Sequence, residues 1–345
     1  MKERIATFGE IMLRLSPPNF QRFIQARSFD AVFGGGEANV AVSLANFGFP
    51  VDYVTKLPFN EIGNSCIQFL SQFGINTTKI VRGGKRLGIY YLEMGSSLRP
   101  SKVIYDRSHS AIAEATNKEF DWNSIFEGVN WFHWTGITPA ISENLAQICL
   151  EAVKAARKKG IIVSCDLNFR NKLWNYGKEP SEIMPELVKD CDIAIGNEED
   201  AEKVLGIKAP DIDVTSGNID AEKYRYVVEE MRRKYPNLKK VAITLRGSIS
   251  ASHNTWSALL YDGNEIYFGP QYNITPIVDR IGGGDSFMAG LIYGLINYKE
   301  DLQVALNFAV AASCLKHTII GDFNLVSVEE VLKLMKGDTS GRVVR

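Results

Sequence analysis

Val278-Asp279-Arg280-Ile281-Gly282-Gly283-Gly284-Asp285-Ser286-Phe287 is the stretch on which the reading of this chain turns. A short approach segment ends at Asp279. Three glycines follow, then an acid, then a run whose pattern predicts a helix over 286–297. Adjacent glycines let backbone N–H groups converge without Cβ clashes. A helix beginning there adds its unpaired N–H groups and the positive end of its dipole. Together these make a pocket for an anion, most naturally a phosphate in transfer. Asp285 falls inside that pocket, where an acid is electrostatically awkward. Its presence makes sense if it takes a proton from a hydroxyl nucleophile while the pocket holds the migrating group. The same residues also read as a plain glycine-rich helix start capped by an acid, because Gly and Asp are both common at caps. The surrounding chain has to decide.

Upstream, strands and helices alternate. Segments 131–135, 161–166, 193–195 and 241–245 read as buried strands, and 143–159, 183–189, 198–205 and 221–234 as helices. That alternation predicts an α/β fold with a mostly parallel sheet covered on both faces. Ligands of such sheets bind at the carboxyl ends of the strands. Asn168, Arg170, Asn197, Asp200, Arg246 and Gly247 follow strand ends and are the polar residues to watch. Segment 209–220 reads as a surface insertion, and 255–268 as a hairpin turning at Asp262-Gly263. A helix over 302–316 is rich in small residues, including Ala309, Ala311 and Ser313. These suit either a flat ring lying on the helix or tight helix packing.

At the other end, 5–8 reads as a strand closed by Gly9, without the G-x-G-x-x-G that a dinucleotide loop requires. Segments 13–15, 20–33, 86–94 and 102–105 are strand-like and mixed in polarity, as in a small sheet over a larger one. They carry Tyr90, Tyr105 and Arg107, aromatic faces and a fork of donors suited to a polar carbon chain with a carboxylate. Between them, Gly34-Gly35-Gly36-Glu37-Ala38-Asn39-Val40-Ala41 opens a helix. Gly35 permits close approach of a ligand, and Asn39 offers a donor and an acceptor to a polyol.

The totals narrow the function. Across 345 residues, 39 basic and 40 acidic side chains leave a net charge of −1, so no bulk field attracts nucleic acid or an anionic membrane. Five cysteines without a CxxC pair and four scattered histidines give no zinc pattern. No leader or membrane-length apolar run is visible, which predicts a cytoplasmic protein.

The two glycine motifs, one near each end, resemble those of the ribokinase-like (PfkB) sugar kinase family, and the likeness covers nearly the whole chain. It implies a three-layer α/β/α domain over 1–345, with lid strands from about 13–33 and 86–107 forming a discontinuous small subdomain. It further implies that Asp285 is the general base and that the N–H groups of Gly282, Gly283 and Gly284 hold the γ-phosphoryl of ATP. The nucleotide would lie along Asn197, Arg246, Gly247, Ala311 and Ser313. Asn197-Glu198-Glu199-Asp200 resembles the family's N-x-x-E, so Asp200 would address Mg2+ through water. Neutral-sugar members usually carry an acid where this chain has Arg14, and the exchange points to an anionic substrate. With Gly9-Glu10-Ile11-Met12-Leu13-Arg14, the set is similar to the 2-keto-3-deoxygluconate kinase branch. Gly35, Asn39, Tyr90, Tyr105, Arg107 and Arg170 would hold the sugar acid there, with Arg107 and Arg170 on the carboxylate and Arg14 facing solvent or a partner lid. A fructokinase- or ribokinase-type enzyme, or a 2-ketogluconate kinase, is the alternative. Homodimers or larger homo-oligomers through the lid are implied as well. Arg280 replaces a usual threonine, and Lys316 is a candidate to replace a monovalent cation beside Asp279.

Overall fold

The computed structural model describes residues 2–208 and 221–338; the insertion expected at 209–220 lies outside them. Nine strands form the main sheet. In lateral order they are Ile266–Phe268, His253–Tyr261, Lys240–Ser250, Ile193–Gly196, Ile162–Asp166, Trp131–Thr135, Ile5–Phe8 and Val51–Val54, with Tyr272–Ile274 also paired to His253–Tyr261. From Lys240–Ser250 to Val51–Val54 every pairing is parallel. The sequence accounts for this. Ile5–Phe8 and Trp131–Thr135 are buried at every position, as strands must be when both faces are covered. Alternate side chains then feed two cores. Ile5 and Trp131 join the helices Gly36–Asn46, Gly283–Asn297 and Leu302–Lys316 on one face. Ala6 and Phe132 join Glu143–Lys158, Pro180–Val188 and Glu198–Leu205 on the other. The result is an α/β fold of helix, sheet and helix layers.

One expected strand is longer than its apolar core. Lys240–Ser250 continues past Leu245 and turns back into His253–Tyr261, pairing Arg246 with Trp256 and Ser248 with Asn254. The extension is polar and largely exposed, so its apolar pattern is silent while the ladder hydrogen bonds continue.

A second, four-stranded sheet runs in the order Asp30–Gly34, Met12–Ser16, Gly88–Glu93, Lys102–Asp106. The strand expected over 20–33 survives only in its last residues. Pro17-Pro18 starves the ladder of donors, and a 3-10 turn at Phe23–Gln25 follows. Met12, Tyr90 and Leu92 pack from this sheet onto Ile281 of the glycine stretch. The carboxyl ends of the parallel strands and the inner face of the small sheet thus border the same space.

Candidate active site

A cleft of about 1020 Å³ lies between the two sheets. The second glycine motif forms one wall. Gly282 takes a left-handed conformation, with φ of 81°, and a Cβ there would lie 2.1 Å from the Asp322 carbonyl oxygen. Only glycine fits. The helix Gly283–Asn297 begins immediately after, three residues before the start that the pattern suggests, and no side chain caps it. The first N–H groups of that helix therefore remain open to an anion.

Asp285 lies in the first helical turn. Asn39 of the opposite motif donates from Nδ2 to Asp285 Oδ2 at 2.7 Å, while its Oδ1 accepts from Gly35 N at 3.2 Å. A Cβ on Gly35 would meet the Glu10 carbonyl oxygen at 2.1 Å, which explains that glycine by close approach. Burial raises the Asp285 carboxyl to about 6; the Asn39 hydrogen bond opposes this, Asp322 adds to it, and Arg170 and Lys316 oppose it.

Gly35, Asn39, Tyr90, Tyr105, Arg170, Asn197, Asp200, Arg246, Gly247 and the 282–285 loop all line this cleft. Asn197 Oδ1 accepts from Asp200 N at 2.8 Å and caps the helix Glu198–Leu205. Asp200 returns the bond to Asn197 N and also accepts from Phe169 N, both at 2.8 Å. Burial raises Asp200 and Asp166, and Asp200 and Asp285 push Asp166 further up. Asp166 is a cleft residue that its strand pattern did not single out.

Four expectations need correction. Arg14 faces neither solvent nor a partner lid. It is 2% exposed, and its Nη1 and Nη2 donate to Asp322 at 2.8 Å and Asp279 at 2.6 Å. Burying a lone guanidinium is costly, and two carboxylates from other elements meet it. Arg107 does not line the cleft. Its Nε donates to Glu10 Oε2 at 2.7 Å, and its guanidinium lies 5.5 Å from the Tyr105 ring centroid. Its charge is neutralised by Glu10, whereas Arg170 is exposed and lines the cleft. Ala311 and Ser313 are wholly buried. Their helix packs on Gly283–Asn297, and a Cβ at Gly290 or Gly294 would come within 2.8 and 2.7 Å of Ala309 and Ala305. Tight packing, not ring binding, explains those small residues.

Two supporting residues carried no sequence signal of their role. Glu37 is buried behind the first motif, where Thr135 N, Thr135 Oγ1 and Thr138 Oγ1 donate to it at 3.1, 2.8 and 2.7 Å. Burial holds it at about 7 against those bonds. Asp322 accepts from Tyr90 Oη at 2.5 Å as well as from Arg14. Lys316 is fully buried, and its Nζ donates to the carbonyls of Asp279 and Ile319 at 3.4 and 3.2 Å.

Comparison with known proteins fits this geometry. Residues 2–322 match the pfkB family carbohydrate kinase pattern. The crystal structure of 2-dehydro-3-deoxygluconokinase from Thermotoga maritima superposes with a TM-score of 0.91 at 49% identity, covering 97% of this chain and 100% of that one. A putative 2-keto-3-deoxygluconate kinase from Enterococcus faecalis gives 0.88 at 28% identity, covering 100% and 99%. The 2-dehydro-3-deoxygalactonokinase of Haloferax volcanii is 31% identical over 344 residues, 99% of each chain.

Proposed function

The chain belongs to the pfkB family of carbohydrate kinases, and we propose that it transfers the γ-phosphoryl of ATP to the terminal primary hydroxyl of a sugar acid. The substrate is 2-keto-3-deoxygluconate, and the product 2-keto-3-deoxy-6-phosphogluconate. The observation that carries this reading is the meeting of Asp285, beside an uncapped glycine helix start, with Asn39 of the other glycine motif at 2.7 Å. The likeness to the Thermotoga maritima enzyme supports the choice of sugar.

In this reading Asn39 and Gly35 orient the sugar, Tyr90 and Tyr105 flank it, and Arg170 takes its carboxylate. Asp285 accepts the proton of the primary hydroxyl. The freed oxygen bonds to the γ-phosphorus as the bond to the β–γ bridging oxygen breaks, and that oxygen leaves with the electron pair on ADP. The open N–H groups at the start of Gly283–Asn297 hold the charge that develops on the transferred group. Asn197, Arg246 and Gly247 border the nucleotide. Among the described residues no cluster forms an all-protein metal cage. Asp200 and Asp166 nonetheless give the nucleotide end buried oxygens that suit Mg2+ addressed through water. Bound to the phosphates, that ion would neutralise their charge. The small sheet acts as a lid that excludes water, and its outer face pairs copies of the chain. Use of ATP fits a cytoplasmic enzyme.

A coupled ADP-release assay across sugar acids and neutral sugars tests the proposal. We expect preference over fructose and ribose of at least ~100-fold, about 2.7 kcal/mol. Equal turnover of the neutral sugars would remove the sugar-acid assignment. The Haloferax volcanii relative favours one second reading, the galactonate-derived epimer, which belongs in the same panel.

A further inference from the structure

We propose that Arg280 is a further catalytic residue, whose guanidinium contacts the phosphoryl group in transfer; the assignment rests on the kinase reading above. Arg280 stands two residues before Gly282 and lines the cleft together with Gly283, Gly284 and Asp285. It is half-buried. Its Nη2 donates to the carbonyls of Ser250 and Ala251 at 3.2 and 2.9 Å. Those carbonyls belong to the turn between Lys240–Ser250 and His253–Tyr261, so the hairpin that carries Arg246 also fixes the Arg280 guanidinium. A guanidinium has five N–H donors. Nη2 is engaged, and Nε and Nη1 have no protein acceptor among the described residues.

The charges that act on it are Arg246, which repels it, and Asp279, which attracts it. Asp279 is the neighbouring acid, but it accepts from Arg14 at 2.6 Å, from Ile281 N at 3.0 Å and from Gly321 N at 3.1 Å. Among the described residues neither Arg280 nor Arg246 joins an ion pair. Burial, and then repulsion from Arg246, lower the Arg280 guanidinium from its ordinary value. Buried His317 lies under the loop, since a Cβ on Gly283 would meet its ring at 2.8 Å. Burial first, and then Lys316, Arg280 and Arg246, hold His317 down at about 4. Arg280 and Arg246 thus line the cleft that the three glycines border, while Lys316 beneath them already faces Asp279, Asp322 and Asp285. Like charges drawn together at a cleft are unfavourable until an anion lies between them. The anion this cleft is shaped for is the phosphoryl group, whose three equatorial oxygens carry the charge of a loose transition state. Arg280 suits it because Nη1 can donate to one of those oxygens while Nη2 stays on the hairpin turn and holds the guanidinium in place. It gains and loses no proton, and the hydroxyl proton still goes to Asp285.

The test compares the wild-type full-length chain with R280Q and R280K, measuring kcat, both KM values, ADP affinity by calorimetry and the melting temperature. R280Q is expected to lower kcat about 100-fold, with the sugar KM and ADP affinity within about 3-fold of wild type. R280K keeps the cation without the guanidinium's anchor on the hairpin turn and is expected to recover part of the loss. A kcat loss under about tenfold in R280Q overturns the proposal. So does a loss of ADP affinity equal to the loss in kcat, which would make Arg280 a ground-state nucleotide contact. Should R280Q not fold, R280K decides: a lowered kcat at wild-type melting temperature supports the assignment, and wild-type kcat overturns it. Wild-type chain that phosphorylates no sugar acid overturns the kinase reading as well, whereas wild-type turnover matched by R280Q overturns this inference alone.

Discussion

Asp285 concentrates two opposing demands in one carboxyl. To act as the proposed base it must be ionised, and burial resists ionisation, raising it to about 6. The value of kcat/KM is therefore expected to fall as pH drops through about 6 and to level off above it, read from a rate profile in the sugar-acid assay. Asp285→Asn is expected to lower kcat by ~10²–10⁴ with substrate binding retained. The stability effect has the opposite sign. Because the folded value is raised, this carboxyl favours the folded state most at low pH, and that contribution disappears as pH rises through about 6. The Asn variant should thus melt no lower than wild type at pH 8, and the gap should close toward pH 4. A lower melting temperature across that range would mean that the ionised carboxylate stabilises the fold. The place of Asp285 at the helix start was legible because its motif is contiguous. Asp322 was not, since nothing near it in sequence announces a partner 308 positions away at Arg14.

At the scale of elements, the loop that carries the second glycine motif is held from two sides. Arg14, on the strand Met12–Ser16, ties the small sheet to Asp279 before the glycines and to Asp322 after the helix Leu302–Lys316. Removing it would leave two carboxylates buried without their cation. Arg14→Met is expected to cost about 3–5 kcal/mol in urea unfolding, because an uncompensated buried charge is worse than none. From behind, the helix Leu302–Lys316 presents the Lys316 ammonium to the Asp279 carbonyl. A fixed cation at that place should make turnover independent of monovalent ions. Equal rates in potassium and tetramethylammonium salts at matched ionic strength are expected; strong activation by potassium would show that Lys316 does not fill that role. Here the helices themselves were readable from periodicity, including Leu302–Lys316 to the residue. Which neighbour their small residues faced was not, because a ring and a second helix both need the same absence of side chain.

Over the whole molecule, the small sheet has one face on the cleft and one outward. The outer side and its turns expose Ile24, Leu98 and Ile104 at 86%, 89% and 54%. An apolar face of that kind on a lid is expected to pair with a second copy. Light scattering should give a dimer, shifted toward monomer by Ile104→Lys; a monomeric wild type at micromolar concentration would remove the lid from any assembly. Pairing of this kind would hold Tyr90 and Tyr105 over the sugar without restricting the nucleotide end.

The sequence alone determined the layered α/β fold and the two glycine motifs. Both rest on local rules: strand and helix periodicity, and the freedom of glycine where backbone approaches closely. It also marked Asp285, Asn39 and Arg170 as the polar centre. Only the tertiary structure decided where the other arginines went. Arg14 and Arg107 carry identical side chains, yet each is neutralised by acids that folding brings from distant segments. Arg280 and Arg246 line the cleft and, among the described residues, neither joins an ion pair. Charge pairing depends on three-dimensional neighbours, so no local pattern could have separated a structural arginine from one waiting for phosphate.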